Sequence, residues 1–210
     1  MTAPVFPPAP WYLTGDMIIS VWRIPAAELP PWPLPPGSRP WITRRRSTLV
    51  TFWVDYRGES VLSYREFLIA QAVRHGRRTA ASTVAAWVDD EQALHGGRAL
   101  WGIPKQLGTI NLRAGTGRTH AELLLTDAPP VRAVHRTALQ LPVRIPARAH
   151  LVQQLPGGAA CRVPLRISGR PGIGRTRLTT GPSTPVSFLD GHRPLVSLTM
   201  RGFRGTVGRP

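Results

Sequence analysis

The sequence is poor in three residue classes. Its 210 residues include one cysteine, Cys161, one lysine, Lys105, and only 11 Asp and Glu. A lone thiol permits no internal disulfide and no Cys-based zinc centre within one chain, so the fold must rest on its apolar core. No run approaches the roughly 18 apolar residues that cross a bilayer, and the first ten residues lack a charged stretch followed by an apolar one. Neither a membrane span nor a secretory leader is therefore expected, and a cytoplasmic location is the default expectation. The histidines at 75, 95, 120, 135, 150 and 192 show no ligand spacing, so no metal site is expected. A P-loop and a Gly-x-Ser-x-Gly element are also missing, and Gly115-Thr116-Gly117 reads as a turn, with no dinucleotide fingerprint around it.

Against these shortages stand 42% hydrophobic residues, enough for a core, and a formal charge of +16. Of the 27 basic residues, 26 are arginine. Arg and Lys serve a solvated surface about equally well, and Ala, Gly and Pro are also abundant, so the skew fits codon bias in a GC-rich genome. A lysine that survives in such a background marks a place where Arg cannot substitute. Arg is never deprotonated in a protein, whereas a desolvated Lys can become a neutral amine nucleophile. The charge also raises nucleic-acid binding, with Arg44-Arg45-Arg46 and Arg74, Arg77 and Arg78 as the densest groups. Those arginines are dispersed, lack a recognisable motif and are not interleaved with aromatics, which makes this the least favoured function.

Residues 1–47 are rich in proline and are expected to wrap on one domain spanning 1–210, with Asp16–Arg23 as a strand. Strand signals follow at 48–56, 61–73, 79–88, 107–113 and 119–125, then near 131–141, 160–167, 173–180, 184–189 and 195–200. Asp89 and Asp90 are placed to cap a short helix over Glu91–Leu94, which Gly96-Gly97 should stop. The expected fold is mainly β (α+β): an antiparallel barrel or curled sheet with few short helices.

The most informative segment is Gly97-Arg98-Ala99-Leu100-Trp101-Gly102-Ile103-Pro104-Lys105-Gln106-Leu107-Gly108. If its apolar residues line a pocket around Lys105, desolvation disfavours the ammonium, and the free amine can form an imine with a ketone or aldehyde. A protonated imine is an electron sink for decarboxylation, deprotonation or C–C cleavage. The bland alternative is a lysine whose stem covers apolar surface while its head stays in water.

This segment resembles the signature of the acetoacetate decarboxylase family, a Gly-Arg-Glu followed by an aromatic-Pro-Lys-Lys-Leu-Gly element. The resemblance extends without gaps through Asp89-Asp90-Glu91 and Ser63-Tyr64-Arg65-Glu66 and covers about residues 47–112. It implies an antiparallel barrel with a flanking sheet, assembled as a homo-oligomer, in which Lys105 forms the Schiff base and Glu66 places substrate or moves protons. No separate cofactor is implied, because the imine supplies the electron sink. Gln106 stands where the family has its second lysine and is expected to hydrogen-bond substrate. Trp101, Ile103, Tyr64 and Trp53 complete the expected pocket, Trp53 falling where the family has a second glutamate. Gly15 falls near the family's substrate-binding arginine. The implied partner is a small carbonyl compound such as a keto acid, acted on by a lyase through decarboxylation or through aldol or dehydration chemistry. The alternative is a barrel that binds a ligand without covalent chemistry.

Overall fold

The computed structural model describes residues 5–209. After β1 (Trp11–Pro25) come two short strands, β2 (Ser38–Pro40) and β3 (Ile42–Thr43), and then β4 (Arg46–Tyr56), β5 (Tyr64–His75) and β6 (Arg78–Val88). The helix α1 (Glu91–Trp101) leads into β7 (Lys105–Leu107), β8 (Thr109–Gly115), β9 (Arg118–Leu125) and β10 (Ala128–Gln140). The chain ends with β11 (Ile145–Gln154), β12 (Ala160–Thr179) and β13 (Val196–Val207). The fold is thus mainly β, as the residue pattern implies.

Strands β6-β5-β4-β1-β13-β12-β11 form a ring, closed where β11 returns to β6. A ring with an odd number of strands cannot alternate direction throughout, so one junction must be parallel. Here it is β11–β6, joined in register only at Leu151 and Ala81. A side chain reinforces this thin seam. Gln153 Oε1 accepts from Ser82 Oγ at 2.7 Å and from the Thr83 amide at 3.0 Å, while its Nε2 donates to the Thr83 carbonyl at 3.2 Å.

The two halves of the long β12 serve two sheets. Ala160–Gly169 pairs with β11 in the barrel, and Gly172–Thr179 pairs with β10, which carries β9 and β8 over the outside of the barrel. The barrel wall is therefore buried on both faces at β4 and β5, and their residues alternate between two cores. Val54, Tyr64, Ala86, Val88 and Phe203 belong to the interior, with Phe52 and Leu68 packed against it. Leu49, Trp53, Phe67 and Ile69 face outward and meet Ile110, Leu123 and Val131 from the outer sheet. Such double burial explains why 48–56 reads as an almost continuous apolar run.

Within the segment 1–47, β1 is inserted between β4 and β13, while Leu29, Trp32 and Leu34 lie against the outer core. Three local expectations change. The tracts 160–167 and 173–180 are one strand, because Gly169 and Gly172 let it pass closely against Met200 and Thr199 without a break. Residues 184–189 form a turn and a short 3-10 helix at Ser187–Leu189, where Leu189 is fully buried. The helix α1 also runs through Gly96-Gly97 to Trp101 and is ended by Gly102, whose φ of 66° suits a left-handed cap.

Between barrel and outer sheet lies a small polar layer. His135 is fully buried, and its Nδ1 lies 3.0 Å from Thr176 Oγ1, which in turn accepts from Ser20 Oγ at 3.1 Å. Burial, reinforced by the charge of Arg201, lowers the His135 pKa from 6.5 to about 4.

Two measurements test these features. Gln153→Leu leaves three polar groups at the seam without partners and should cost about 2–4 kcal/mol in denaturant unfolding; an unchanged midpoint would show that the seam does not depend on it. The unfolded chain protonates its histidine before the folded one, so His135 should reduce stability as pH falls from 6.5 towards 4. Melting curves of the protein and of His135→Gln should converge over that window, and parallel curves would contradict the assignment.

Candidate active site

Helix α1 and the barrel interior together position Lys105. Asp90 caps the helix, its Oδ1 accepting from the Ala93 amide at 2.7 Å. At the other end, the Gly102 amide returns to the carbonyl of Arg98, and a Cβ at Gly102 would sit 1.9 Å from the carbonyl oxygen of Gln154. Only glycine fits this turn. After Pro104, Lys105 pairs with Ala86 as β7 lies parallel to β6. Arg98 Nε donates to the Lys105 carbonyl at 2.7 Å and ties the helix to the strand.

The two mid-helix glycines now have a physical explanation. A Cβ at Gly97 would stand 2.6 Å from Lys105 Cε, and one at Gly96 would stand 2.5 Å from the Trp11 indole. The helix accepts the roughly 1 kcal/mol that each glycine costs relative to alanine so that the lysine stem and the indole can pass against it.

Inside the barrel, Lys105 Nζ lies 2.8 Å from Glu66 Oε1, with side chains 3% and 4% exposed. Glu66 Oε2 accepts from Tyr56 OH at 2.9 Å, and Lys105 Nζ donates weakly to Tyr64 OH at 3.4 Å. Nζ also sits 4.9 Å from the Tyr64 ring centre and 5.9 Å from that of Trp11, within cation–π range. The Tyr56 and Tyr64 rings are 4.5 Å apart, and Trp101 meets Trp11 edge-on at 4.9 Å. Burial, with the Glu66 charge second, pushes both phenols well above the usual tyrosine value, so they are neutral proton donors at physiological pH.

Among the described residues, Lys105 and Glu66 are the only Lys, Arg, Asp or Glu side chains in the buried set. A buried ion pair seldom stabilises a fold relative to apolar residues of the same shape, whereas removing one partner typically costs about 3–5 kcal/mol. Such a pair in an aromatic interior is therefore the candidate functional site.

The structure brings Lys105, Glu66, Tyr64, Trp101 and Ile103 into the same interior. It separates two other expected pocket residues from them. Gln106 follows Lys105 in β7, so its side chain takes the opposite face and is exposed. Trp53 belongs to the outer core, stacked on Phe67 at 4.1 Å, and its neighbour Val54 is the residue facing inward opposite Glu66. Arg65 is on the face opposite Glu66 and binds Asp89 and Asp55 instead. The sequence reading missed Tyr56, Trp11 and Phe203. Tyr56 could have been found by counting two residues on from Val54, which places it on the Glu66 face beside Tyr64.

Comparison with known proteins gives a consistent result. The acetoacetate decarboxylase family model matches residues 1–138. No curated protein matches the sequence. Among solved structures, the enduracididine biosynthesis enzyme MppR, complexed with the condensation product of pyruvate and imidazole 4-carboxaldehyde, aligns with TM-score 0.65 at 19% identity, over 100% of this chain and 96% of that one. Acetoacetate decarboxylase from Legionella pneumophila aligns with TM-score 0.64 at 18% identity, over 99% of this chain and 90% of that one. An acetoacetate decarboxylase-like enzyme from Sphingomonas wittichii RW1 aligns with TM-score 0.63 at 18% identity, over 95% and 91%. At these identities the structural likeness establishes the fold, and the family match covers well over half of the chain: the protein belongs to the acetoacetate decarboxylase family.

Proposed function

We propose that the protein is a lyase that forms a Schiff base between Lys105 and a small carbonyl compound. The observation that carries this reading is the buried Lys105–Glu66 pair, which sets an amine against a proton acceptor inside an apolar barrel. Glu66 accepts the ammonium proton at 2.8 Å, leaving Nζ with a free electron pair. That pair attacks the substrate carbonyl carbon. Tyr64, neutral and within reach of Nζ, donates to the developing oxygen. Loss of water gives the protonated imine, whose charge faces the Tyr64 and Trp11 rings.

A C–C or C–H bond next to the imine then breaks, its electron pair flows into the C=N bond to give an enamine, and the leaving fragment is CO2, an aldehyde or a proton. Glu66 gives its proton to the departing water and regains one from the broken C–H bond or the aldol hydroxyl, or from solvent when CO2 leaves. Reprotonation at carbon from Glu66 and hydrolysis of the imine then restore the amine. Tyr56 holds Glu66 through Oε2 and keeps Oε1 aimed at the reacting nitrogen. One related structure holds a pyruvate condensation product and others are decarboxylases, so both outcomes lie within the family's chemistry.

The charge balance of the interior narrows the substrate. A substrate carboxylate would join Glu66 as a second anion, with the iminium as the only buried cation among the described residues. Neutral aldehydes and ketones should therefore react best, monocarboxylic keto acids next, and dicarboxylic acids least.

Having one lysine makes the test direct. Incubation with such a panel, reduction by borohydride and intact mass measurement should give a single adduct that peptide mapping places on Lys105. The double variant Lys105→Met, Glu66→Leu removes both charges together, so it should stay folded and take no adduct. Absence of any adduct on the folded protein would overturn the reading in favour of non-covalent ligand binding. Tyr56→Phe should lower kcat about tenfold with little change in KM, since the ring stays and only the hydrogen bond to Glu66 is lost; an unchanged kcat would make Tyr56 a packing residue.

A further inference from the structure

The outer surface of the β9-β10-β12 sheet carries an arrangement that the barrel chemistry does not use. Arg136 on β10 is in direct register with Arg118 on β9 and with Arg175 on β12. All three are exposed, while their sequence neighbours Thr119, His135 and Thr176 turn inward and are buried. The next row along pairs Val134 with His120 and Arg177. Like charges directly opposite across strands repel and destabilise a sheet. Codon bias explains why these residues are Arg in preference to Lys, but it does not explain three cations in one row.

The same sheet contains its own control. Four residues away on β10, Arg132 lies opposite Glu122 and pairs with it at 2.8 Å. Among the described residues, no carboxylate pairs with Arg118, Arg136, Arg175, Arg177 or Arg193. These five arginines line one cleft of about 1050 Å³, which the 190–197 segment also lines and in which Asp190 is the only carboxylate among the described residues. Ile173, Leu195 and Val196 also line it, exposed at 50%, 70% and 40%.

A second copy of the chain is a poor occupant for this cleft. The sequence has 11 carboxylates, and those of Asp16, Asp55, Asp89, Glu122, Glu66 and Glu28 are already paired with cationic or histidine groups. The occupant must bring dense negative charge of its own. Guanidinium forks match phosphate oxygens two at a time, and neighbouring strands set the Arg Cα atoms about 5 Å apart, so the row spans roughly 10 Å. The apolar edge offers a place for an organic group beside the phosphates.

We propose that this cleft is a binding site for an organic polyphosphate, its phosphate chain lying along Arg118, Arg136 and Arg175 and its organic part against Ile173 and Leu195. Calorimetric titration of the full chain with ATP and with inorganic tripolyphosphate, at an ionic strength of about 0.15 M, tests it. Both should bind saturably at one per chain, ATP more tightly because of its base. Arg136→Gln should weaken both about tenfold or more while raising the melting temperature, because it relieves repulsion in the free protein. Arg132→Gln should leave both affinities unchanged. Failure of both probes to saturate would overturn the proposal. So would tighter binding of a single-stranded oligonucleotide with several chains per strand, which would mark a nucleic-acid surface instead. Imine trapping at Lys105 is independent of either result.

Discussion

The interior of this barrel is organised around one salt bridge. Placing an ammonium and a carboxylate 2.8 Å apart, both almost out of contact with solvent, costs desolvation that the attraction between them offsets only when the geometry is good. The surroundings supply that geometry. Tyr56 occupies the second carboxylate oxygen, and Tyr64 and Trp11 face the ammonium with their rings. Gly97 removes a side chain where the lysine stem must pass. These features make sense together when the pair is read as a functional group that the fold has to accommodate.

The barrel architecture serves the same end. A seven-strand ring has an interior narrow enough to be filled by side chains, so a charged pair inside it is dry. The ring cannot close by antiparallel pairing alone, and its parallel seam is thin, so Gln153 substitutes side-chain hydrogen bonds for missing ladder bonds. The second sheet, which grows out of β12, covers the outside of β4 and β5 and buries Trp53, Phe67 and Trp87. The wall that carries Glu66 is thereby packed on both sides, which limits how far its carboxylate can move from Lys105.

The surface obeys a different logic from the interior. Most of its arginines are solvated, and several pair with acids where the sheet brings the two signs together, as at Arg132 and Glu122. The row of Arg118, Arg136 and Arg175 breaks that pattern within the same sheet, so composition alone does not account for it.

Much of the local structure was legible in the residues alone. Turn residues and β-branched runs specified a mainly β chain, Asp90 marked the start of the helix, and a single lysine in an apolar segment marked the position around which the candidate site is built. The Tyr64-Arg65-Glu66 alternation was already enough to put Glu66 and Tyr64 on one face and Arg65 on the other. Which faces look inward, and which distant residues meet there, followed from packing of the strands in three dimensions. A strand pattern has a period of two, so an offset of one residue moves a side chain to the other core, which is why Trp53 lies outside and Gln106 in solvent. The encounter of Lys105 with Glu66 and Tyr56 depends on β7 docking beside β6, with β5 and β4 next in the ring. The same limit applies to Gly96 and Gly97: locally they read as a helix stop, and only the approach of Trp11 and Lys105 shows that they are gaps left for neighbours from elsewhere in the chain.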